Sequence, residues 1–267
     1  MTISHFYLCF IMAWLGLSSV AHADLERAKI AYDNGDFVRA YDELQMPAEN
    51  GDAVAQFYLG ILYHGGKGLE TDIEQALYWY KQAARKGLPS AQHNIGIIYE
   101  RGQGVEMDLQ EAANWYKKAS WQKFPPSQFA LSNMYKNGKG VEQNNSEALK
   151  WLVKAANNGL GQAQYNLSLA YDLGEGVAPD KTIAASWTAR AAEQGVVEAQ
   201  YNLGMIYFNG DGLEKNLLFA YVWFNLASTQ GHPLALEILP NLQKLFSADQ
   251  IAQAEKLSTE YLNKIRN

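Results

Sequence analysis

Apolar and small residues recur along this chain with a period of 36 residues. Within one period they form two helical stripes, because side chains spaced three, four and seven residues apart share one face of a helix. In the last period the first stripe is Ala199, Leu203, Ile206 and Tyr207, and the second is Ala220, Trp223, Phe224 and Ala227. Each period is therefore predicted to be two helices joined by a loop.

The repeats follow one another without insertion or deletion. They cover 51–86, 87–122, 123–158, 159–194 and 195–230, and each begins with glycine except the third, which begins with Lys123. Five columns hold one residue type: Gln56, Gln92, Gln128, Gln164 and Gln200; Tyr63, Tyr99, Tyr135, Tyr171 and Tyr207; Trp79, Trp115, Trp151, Trp187 and Trp223; Ala76, Ala112, Ala148, Ala184 and Ala220; and Ala83, Ala119, Ala155, Ala191 and Ala227. We expect the tryptophans to fill the gaps between repeats, where truncating a buried one costs about 3–5 kcal/mol.

A Gly-x-Gly ends the first helical pattern of every repeat, at Gly66/Gly68, Gly102/Gly104, Gly138/Gly140, Gly174/Gly176 and Gly210/Gly212. A phosphate-binding loop needs a strand before the glycines and a helix after them. Here the preceding pattern is helical, so the glycines are predicted to supply positive φ in an interhelix turn. The second helices are predicted to begin after N-cap residues, which are Asp72, Asp108, Asn144, Asp180 and Asn216.

The third repeat departs from the pattern. Pro125 and Pro126 open its first helix, and serine replaces the helix glycine of Gly60, Gly96 and Gly204 in repeats three and four, at Ser132 and Ser168. Two interpretations stay open, neutral drift or a local change of superhelical pitch that shapes a binding site.

Both ends of the array are predicted to be helical caps. Residues 24–50 form a shorter helical pair with Asp36 as N-cap, and 231–267 form C-terminal capping helices. Ser247 and Gln250 make a capping box. It precedes an amphipathic stripe of Ile251, Ala254, Leu257, Tyr261 and Leu262. Terminal caps with a polar outer face keep a repeat array soluble.

The first 23 residues contain no Lys, Arg, Asp or Glu and are nearly all apolar from Phe6 to Val20. Together with Ala21-His22-Ala23 they predict a signal peptide cleaved after Ala23, hence a periplasmic or secreted protein. The apolar run is shorter than the roughly 20 residues that span a bilayer, so no stable membrane insertion is expected after cleavage. The alternative is a protein anchored by an uncleaved N-terminal segment.

Net charge, cysteine content and histidine spacing argue against several classes of function. A formal net charge of −6 argues against nucleic acid as a partner. Cys9, the single cysteine, lies in the leader, which excludes disulfides and thiolate chemistry from the mature chain. His64, His93 and His232 lack the spacing of metal ligands. We therefore predict no catalytic residues, no metal and no cofactor.

The stretch EAQYNLGMIYFNGDGLEKNLLFAYVWFNLASTQG resembles the Sel-1-like repeat, a relative of the tetratricopeptide repeat, and the resemblance covers about residues 48–231. It implies an all-α fold, a right-handed α-α superhelical solenoid of helix-turn-helix repeats. It also implies a concave groove that binds a protein or peptide.

By the same resemblance, three rows of first-helix positions line that groove. The first is Phe57, His93, Phe129, Tyr165 and Tyr201; the second is Ile61, Ile97, Asn133, Leu169 and Met205; the third is His64, Glu100, Lys136, Asp172 and Phe208. The first row is aromatic or histidine throughout, and its rings either contact a ligand or pack between repeats. The third row varies in charge, which suits specificity.

Three functions are consistent with these features. The favoured one is a non-catalytic scaffold that binds an envelope-associated protein or peptide in the groove. The first alternative is a cell-wall glycan or peptidoglycan binder, with aromatic rings stacked on sugars. The third is a β-lactamase-like hydrolase, as reported for cysteine-rich relatives, although this chain lacks their cysteine pairs.

Overall fold

The computed structural model describes residues 24–266, and within this range every element is a helix. The predicted signal peptide, 1–23, lies outside the described residues. The first helices of the five repeats are α3 (Ala53–Gly65), α5 (Pro89–Arg101), α7 (Pro125–Asn137), α9 (Gly161–Leu173) and α11 (Val197–Asn209). The second helices are α4 (Ile73–Arg85), α6 (Leu109–Trp121), α8 (Asn145–Asn157), α10 (Lys181–Glu193) and α12 (Leu217–Thr229).

Helices also cap the array at both ends: α1 (24–33), α2 (Phe37–Glu49), α13 (Pro233–Gln243) and α14 (Ala248–Arg266). The fold is an all-α helical repeat solenoid, as predicted. Among the described residues two compact units are distinguished. The N-terminal unit runs to Ser127 and includes Lys139–Val141, and the C-terminal unit comprises Gln128–Gly138 and the residues from Glu142 onward.

Side-chain caps set the start of every second helix. Asp72, Asp108, Asn144, Asp180 and Asn216 each occupy the N-cap position and accept hydrogen bonds from backbone N–H groups in the first turn. These bonds satisfy amides that have no partner within the helix. The cap residue's own N–H donates to the carbonyl of the tyrosine that recurs in every repeat, as from Asp72 to Tyr63 at 3.0 Å. The predicted helix starts are confirmed, and the tyrosine column closes the loop.

The two glycines of each Gly-x-Gly have different roles. The first is a left-handed C-cap, with φ of 60° at Gly66 and 88° at Gly210. The second approaches the second helix of the preceding repeat, and a Cβ added to Gly212 would lie 2.2 Å from the Lys181 carbonyl oxygen. A helix precedes the glycines, and atoms of the preceding second helix lie beside the second one, so the predicted interhelix turn is confirmed.

Lys123 adopts the conformation of the glycines that it replaces. Its φ is +62°, and Gly87 and Gly159 at the equivalent positions have φ of +89° and +92°. A left-handed conformation crowds the Cβ of an L-residue against the following carbonyl. The third repeat therefore keeps the backbone geometry of the others at a steric cost.

The tryptophans pack between repeats, as predicted, although they differ in burial. Trp151 and Trp223 are buried, and the half-buried Trp79, Trp115 and Trp187 pack on core clusters that include residues of the preceding repeat or of the N-terminal cap. The outer face of some of these rings is covered by a cation one turn later, as by Lys118 Nζ at 3.6 Å from the Trp115 ring centroid. The most deeply buried rings follow the tryptophan by one residue, at Tyr80, Tyr116 and Phe224.

The glutamine column ties neighbouring repeats together through buried hydrogen bonds. Gln164 Nε2 donates to the Ala156 carbonyl at 3.1 Å, across the junction of repeats three and four. Its Oε1 accepts from Gln194 Nε2 at 2.8 Å, and the same pair recurs between Gln200 and Gln230 at 2.7 Å. A buried amide that is satisfied on both atoms stabilises the fold, and an unsatisfied one costs about 1–3 kcal/mol.

The helices at both ends of the array begin at side-chain N-caps. Asp36 is the N-cap of α2 and accepts from Arg39 N. Ser247 N donates to Gln250 Oε1 and Gln250 N donates to Ser247 Oγ, which confirms the capping box. The stripe of α14 packs on the core of repeat five, where Ala254 is buried. In the range 24–266 no helix is both long and apolar enough to span a membrane.

Candidate binding surface

The fifteen predicted groove residues all lie on the first helices α3, α5, α7, α9 and α11. Thirteen of them are half-buried, and Asn133 and Lys136 are exposed. The half-buried positions border the packing between helices and still reach the surface. Whether any of them contacts a partner stays a prediction.

The rings of the first row pack on rings of the second helices where such rings exist. The centroids of Phe57 and Tyr80 are 5.8 Å apart, those of His93 and Tyr116 are 5.3 Å apart, and those of Tyr201 and Phe224 are 5.6 Å apart. These separations are typical of aromatic pairs in protein cores. Packing within the fold therefore accounts for these three members of the row.

The remaining members are held by other contacts. Tyr165 accepts a hydrogen bond from Asn202 Nδ2 at 2.9 Å, and burial raises the pKa of its phenol. Phe129 packs against the core of repeats three and four. In the second row, Ile61 and Met205 pack against the cores of their own units.

Two charged members of the third row, Lys136 and Asp172, form ion pairs. Lys136 Nζ lies 3.3 Å from Glu175 Oε2, and Asp172 Oδ1 lies 2.7 Å from Lys181 Nζ. The hydrogen bond to Asp172 raises the pKa of Lys181. Both pairs are largely exposed to water, so each contributes little to stability. They define the charge of the surface between α7 and α11.

The other three residues of this row have defined contacts. His64 Nε2 lies 3.2 Å from Gln103 Oε1, and Glu100 Oε2 accepts from the Tyr116 hydroxyl at 2.6 Å. Lys215 Nζ lies 5.6 Å from the Phe208 ring centroid. Every residue of the third row therefore contacts another side chain of this chain.

One pair of columns separates the repeats into two kinds. In repeats one, two and five a glycine of the first helix faces an aromatic ring of the second helix, as Gly60 faces Tyr80, Gly96 faces Tyr116 and Gly204 faces Phe224. A Cβ added to Gly96 would lie 2.6 Å from the Tyr116 ring, so only glycine leaves room for it. We call these repeats filled.

Repeats three and four lack the ring at this position. Leu152 stands opposite Ser132 in repeat three and Thr188 stands opposite Ser168 in repeat four, on the same 36-residue spacing. Ser132 Oγ donates to the Ala148 carbonyl at 2.7 Å, and Thr188 Oγ1 donates to the Ala184 carbonyl at 3.0 Å. Smaller side chains leave space that a ring occupies elsewhere, and we call these repeats open.

The larger cleft lies in repeat three and extends to α9. It has a volume of about 610 Å³, and both Ser132 and Leu152 line it. Its other apolar walls are Ala148, Leu149, Leu169, Ala170 and Leu173. Asn133, Asn145 and Asn166 contribute amides, and the pair of Lys136 and Glu175 stands at its edge.

The smaller cleft lies in repeat four and extends to α11. It has a volume of about 200 Å³, and both Ser168 and Thr188 line it. Asp172, Lys181 and Asp211 supply its charges. Leu169 lines both clefts, so the two adjoin along α9.

Five of the predicted groove residues therefore border these clefts, namely Asn133, Lys136, Leu169, Asp172 and Met205. The sequence reasoning missed Leu152 and Thr188, the residues whose small size opens the space. The signal was present, because serine replaces glycine in the same two repeats that lack the ring. The glycine-or-serine column and the column one residue after the tryptophan change together, and this joint change marks the two open repeats.

A serine and a histidine also meet in the N-terminal unit. Ser127 Oγ lies 2.9 Å from His93 Nδ1, but the serine is completely buried. Burial lowers the pKa of His93 to about 4. Because a substrate has no access to Ser127, this contact supports packing rather than nucleophilic catalysis. Within residues 24–266 no group of three or more His, Cys, Asp or Glu side chains is placed to hold a metal ion.

Comparison with known proteins defines the class of this solenoid. The Sel1 repeat profile matches residues 53–88, 89–120, 125–160, 161–196 and 197–232. The chain belongs to the Sel1 repeat family. No curated protein matches it significantly.

Solved structures support the same assignment. The chain is similar to c5321, a protective antigen of uropathogenic Escherichia coli with an SLR fold, at 33% identity and a TM-score of 0.76. The match covers 94% of this chain and 55% of c5321, so the chain spans about half the length of that relative. A Sel1 repeat protein from Oxalobacter formigenes matches at 31% identity and a TM-score of 0.69, over 82% of this chain and 90% of that one. An immunity protein, Pa5087 of Pseudomonas aeruginosa, shares the fold at 19% identity and a TM-score of 0.52, over 76% of this chain and 81% of that one.

Proposed function

We propose that this protein is a non-catalytic scaffold that holds an extended segment of another protein in the two adjoining clefts of repeats three and four. Sel1 repeat proteins generally mediate protein–protein interactions. The observation that carries the proposal is that the open repeats stand next to each other and share Leu169 as a common wall. Adjoining clefts suit a continuous chain better than a compact small molecule.

The lining of the larger cleft suits a peptide. Leucine and alanine side chains offer apolar contact for a side chain, while Asn133, Asn145 and Asn166 offer amide donors and acceptors for a backbone. Recognition sites commonly combine apolar walls with a few polar groups that set orientation. No observation favours the glycan alternative, because Phe57, His93 and Tyr201 pack against the chain's own rings.

The proposed place of action is the periplasm or the cell exterior, with an envelope-associated partner. The apolar leader that ends in Ala21-His22-Ala23 supports it. Fractionation of cells, with N-terminal sequencing of the protein, tests it. We expect a periplasmic or secreted chain that begins at Asp24, and a full-length chain in the membrane fraction would instead support the uncleaved anchor.

Site-specific photo-crosslinking tests the scaffold. A photoreactive residue replaces Leu173, which is 65% exposed and lines the larger cleft. The matched control replaces Met107, which is 60% exposed and lies in the N-terminal unit. We expect one discrete adduct from position 173 and none of that mass from position 107. Absence of any adduct at 173 in cells that produce the folded protein would contradict the proposal.

A further inference from the structure

The filled repeats one, two and five show which side chain fits beside the first helix at this position. Tyr80, Tyr116 and Phe224 each lay a ring against the first helix of their own repeat, and each ring is almost fully buried. The equivalent residue of repeat three, Leu152, is branched and shorter, and the larger cleft lies beside it. In repeat three Leu152 therefore takes the position of the ring, and it lines the larger cleft together with Ser132.

The size of the larger cleft is sufficient for such a ring. A cavity of roughly 150 Å³ lined by aliphatic side chains holds benzene, and this cleft measures about 610 Å³. Leu149, Leu152 and Leu169 supply apolar walls. An entering aromatic side chain would bury much of its apolar surface there, which favours binding.

The smaller cleft carries different chemistry. Its charged residues are Asp172, Asp211 and Lys181, an excess of one negative charge. Lys181 is paired with Asp172 at 2.7 Å, whereas Asp211 accepts from the neutral amide of Asn209 at 3.2 Å. Lys181 also attracts Asp211 electrostatically, but one lysine does not neutralise two carboxylates, so the exposed Asp211 favours a cationic side chain of a ligand.

The clefts are offset by one repeat, which sets the spacing of a ligand that reaches both. Packed helices stand about 8–10 Å apart, and an extended chain rises about 3.3 Å per residue. One repeat therefore corresponds to about three residues of extended peptide.

We infer that the partner segment carries an aromatic residue that enters the larger cleft, and a lysine or arginine about three residues away that binds beside Asp211. The aromatic side chain takes the place that the chain's own ring takes in repeats one, two and five. This inference rests on the proposed scaffold function and names the chemistry of its partner.

The test is a selection of peptides from a display library of random dodecapeptides against the full-length protein. We expect the selected peptides to be enriched in Phe, Tyr or Trp with Lys or Arg about three positions away. The filled variant Ser132→Gly/Leu152→Phe copies the residue pair of repeat five, and it should bind the selected peptides at least tenfold more weakly. The matched control Gly96→Ser/Tyr116→Leu opens repeat two and should leave their affinity unchanged.

A surface substitution tests the charged end without touching the packing. Asp211→Lys should weaken the selected peptides several-fold, and it should improve the binding of versions in which the basic residue is replaced by glutamate. Selected peptides without an aromatic residue, or equal binding by the folded filled variant, would overturn the inference. An unchanged affinity in Asp211→Lys would overturn its cationic half.

Crosslinking separates this inference from the function beneath it. If Leu173 yields an adduct in the native protein and the same adduct in the filled variant, the scaffold stands and the aromatic anchor is wrong. If the native protein yields no adduct, the scaffold itself is wrong, whatever the library returns.

Discussion

Repeats two and three have helices of the same length and the same Gly-x-Gly loop, but they differ in how the space between their helices is filled. In repeat two the ring of Tyr116 lies against Gly96 and also packs on His93. In repeat three Leu152 and Ser132 occupy these positions and line a cleft of about 610 Å³. One pair of columns thus decides whether a repeat closes its own interior.

The comparison teaches that one set of residues keeps the backbone of the repeats alike, and that different residues make their surfaces differ. Caps, loops and the buried glutamine contacts recur in both kinds of repeat and maintain the geometry. The side chain one residue after the tryptophan alters the surface without altering the helices. We therefore expect a cleft to open in a repeat whose glycine and ring are replaced by a serine and a smaller side chain.

The largest expected effect comes from removing a ring of a filled repeat. Phe224→Ala should lower the free energy of unfolding by about 3–5 kcal/mol, because Phe224 is fully buried against Gly204. Leu152→Ala should cost only about 1–2 kcal/mol, since Leu152 is half-buried and borders open space. Urea denaturation followed by circular dichroism measures both, and equal costs would contradict the division into filled and open repeats.

The next effect is a pH dependence of the free energy of unfolding, and it arises from a histidine in a filled repeat. Burial lowers the pKa of His93 from 6.5 to about 4, so the folded state disfavours the protonated imidazole. The unfolded chain takes up the proton first as the pH falls, so this histidine should reduce stability by about 3 kcal/mol between pH 6.5 and 4. Above pH 6.5 the imidazole is neutral in both states and the effect vanishes.

Opening the repeat should weaken that dependence. In Tyr116→Leu the imidazole keeps Phe124 as a ring neighbour but loses Tyr116 and gains water, so we expect the pKa of His93 to rise toward 6.5. NMR titration of the imidazole measures the pKa directly, with His93→Phe as the control in which the resonance and its contribution disappear. An unchanged His93 pKa in Tyr116→Leu would show that the ring does not shield the histidine.

A serine in place of the glycine of a filled repeat should lower the free energy of unfolding. Gly96→Ser places a Cβ about 2.6 Å from the Tyr116 ring, and such overpacking costs about 1–3 kcal/mol. Tyr116→Leu should cost less in this variant than in the native protein, because the two changes together restore the pair of repeat three. A double-mutant cycle measures the coupling, and strictly additive costs would show that the columns are independent.

The smallest effect lies at the junction of a filled and an open repeat. Lys123→Gly should stabilise the fold by about 1 kcal/mol, because Lys123 has a φ of +62° that glycine adopts without steric cost. Lys123→Ala keeps the Cβ and should give no such gain. Thermal denaturation of the two variants compares them, and a destabilised Lys123→Gly would mean that the lysine side chain makes a contact worth more than the strain.

Much of the architecture could be predicted because its determinants are local. An N-cap such as Asn216 acts within one helical turn, and the Ser247–Gln250 box likewise joins residues three apart. The Gly-x-Gly turn needs only the backbone freedom of its glycines. The 36-residue period then indicated the same helix pair five times.

The candidate surface could be predicted only in part. The sequence located the first helices that carry Lys136, Leu169 and Asp172, and the structure places all three at the clefts. Tyr201 and His93 were named for the same surface, yet their rings pack against Phe224 and Tyr116. The glutamine column was visible in the sequence, but its bonds to the Ala156 and Ala192 carbonyls appear only in three dimensions.

By itself, the sequence determined the period, the helix ends, the turns and the caps, since these depend on residues within a few positions of one another. Only the tertiary structure decided which ring of a second helix lies against the glycine of the first helix in the same repeat. Trp223 and Phe224 are adjacent and both apolar, and their directions differ by about 100° around the helix. Contacts between helices decide which of the two rings lies against Gly204. They also decide where a smaller side chain in repeat three leaves a cleft, and no local sequence pattern contains these contacts.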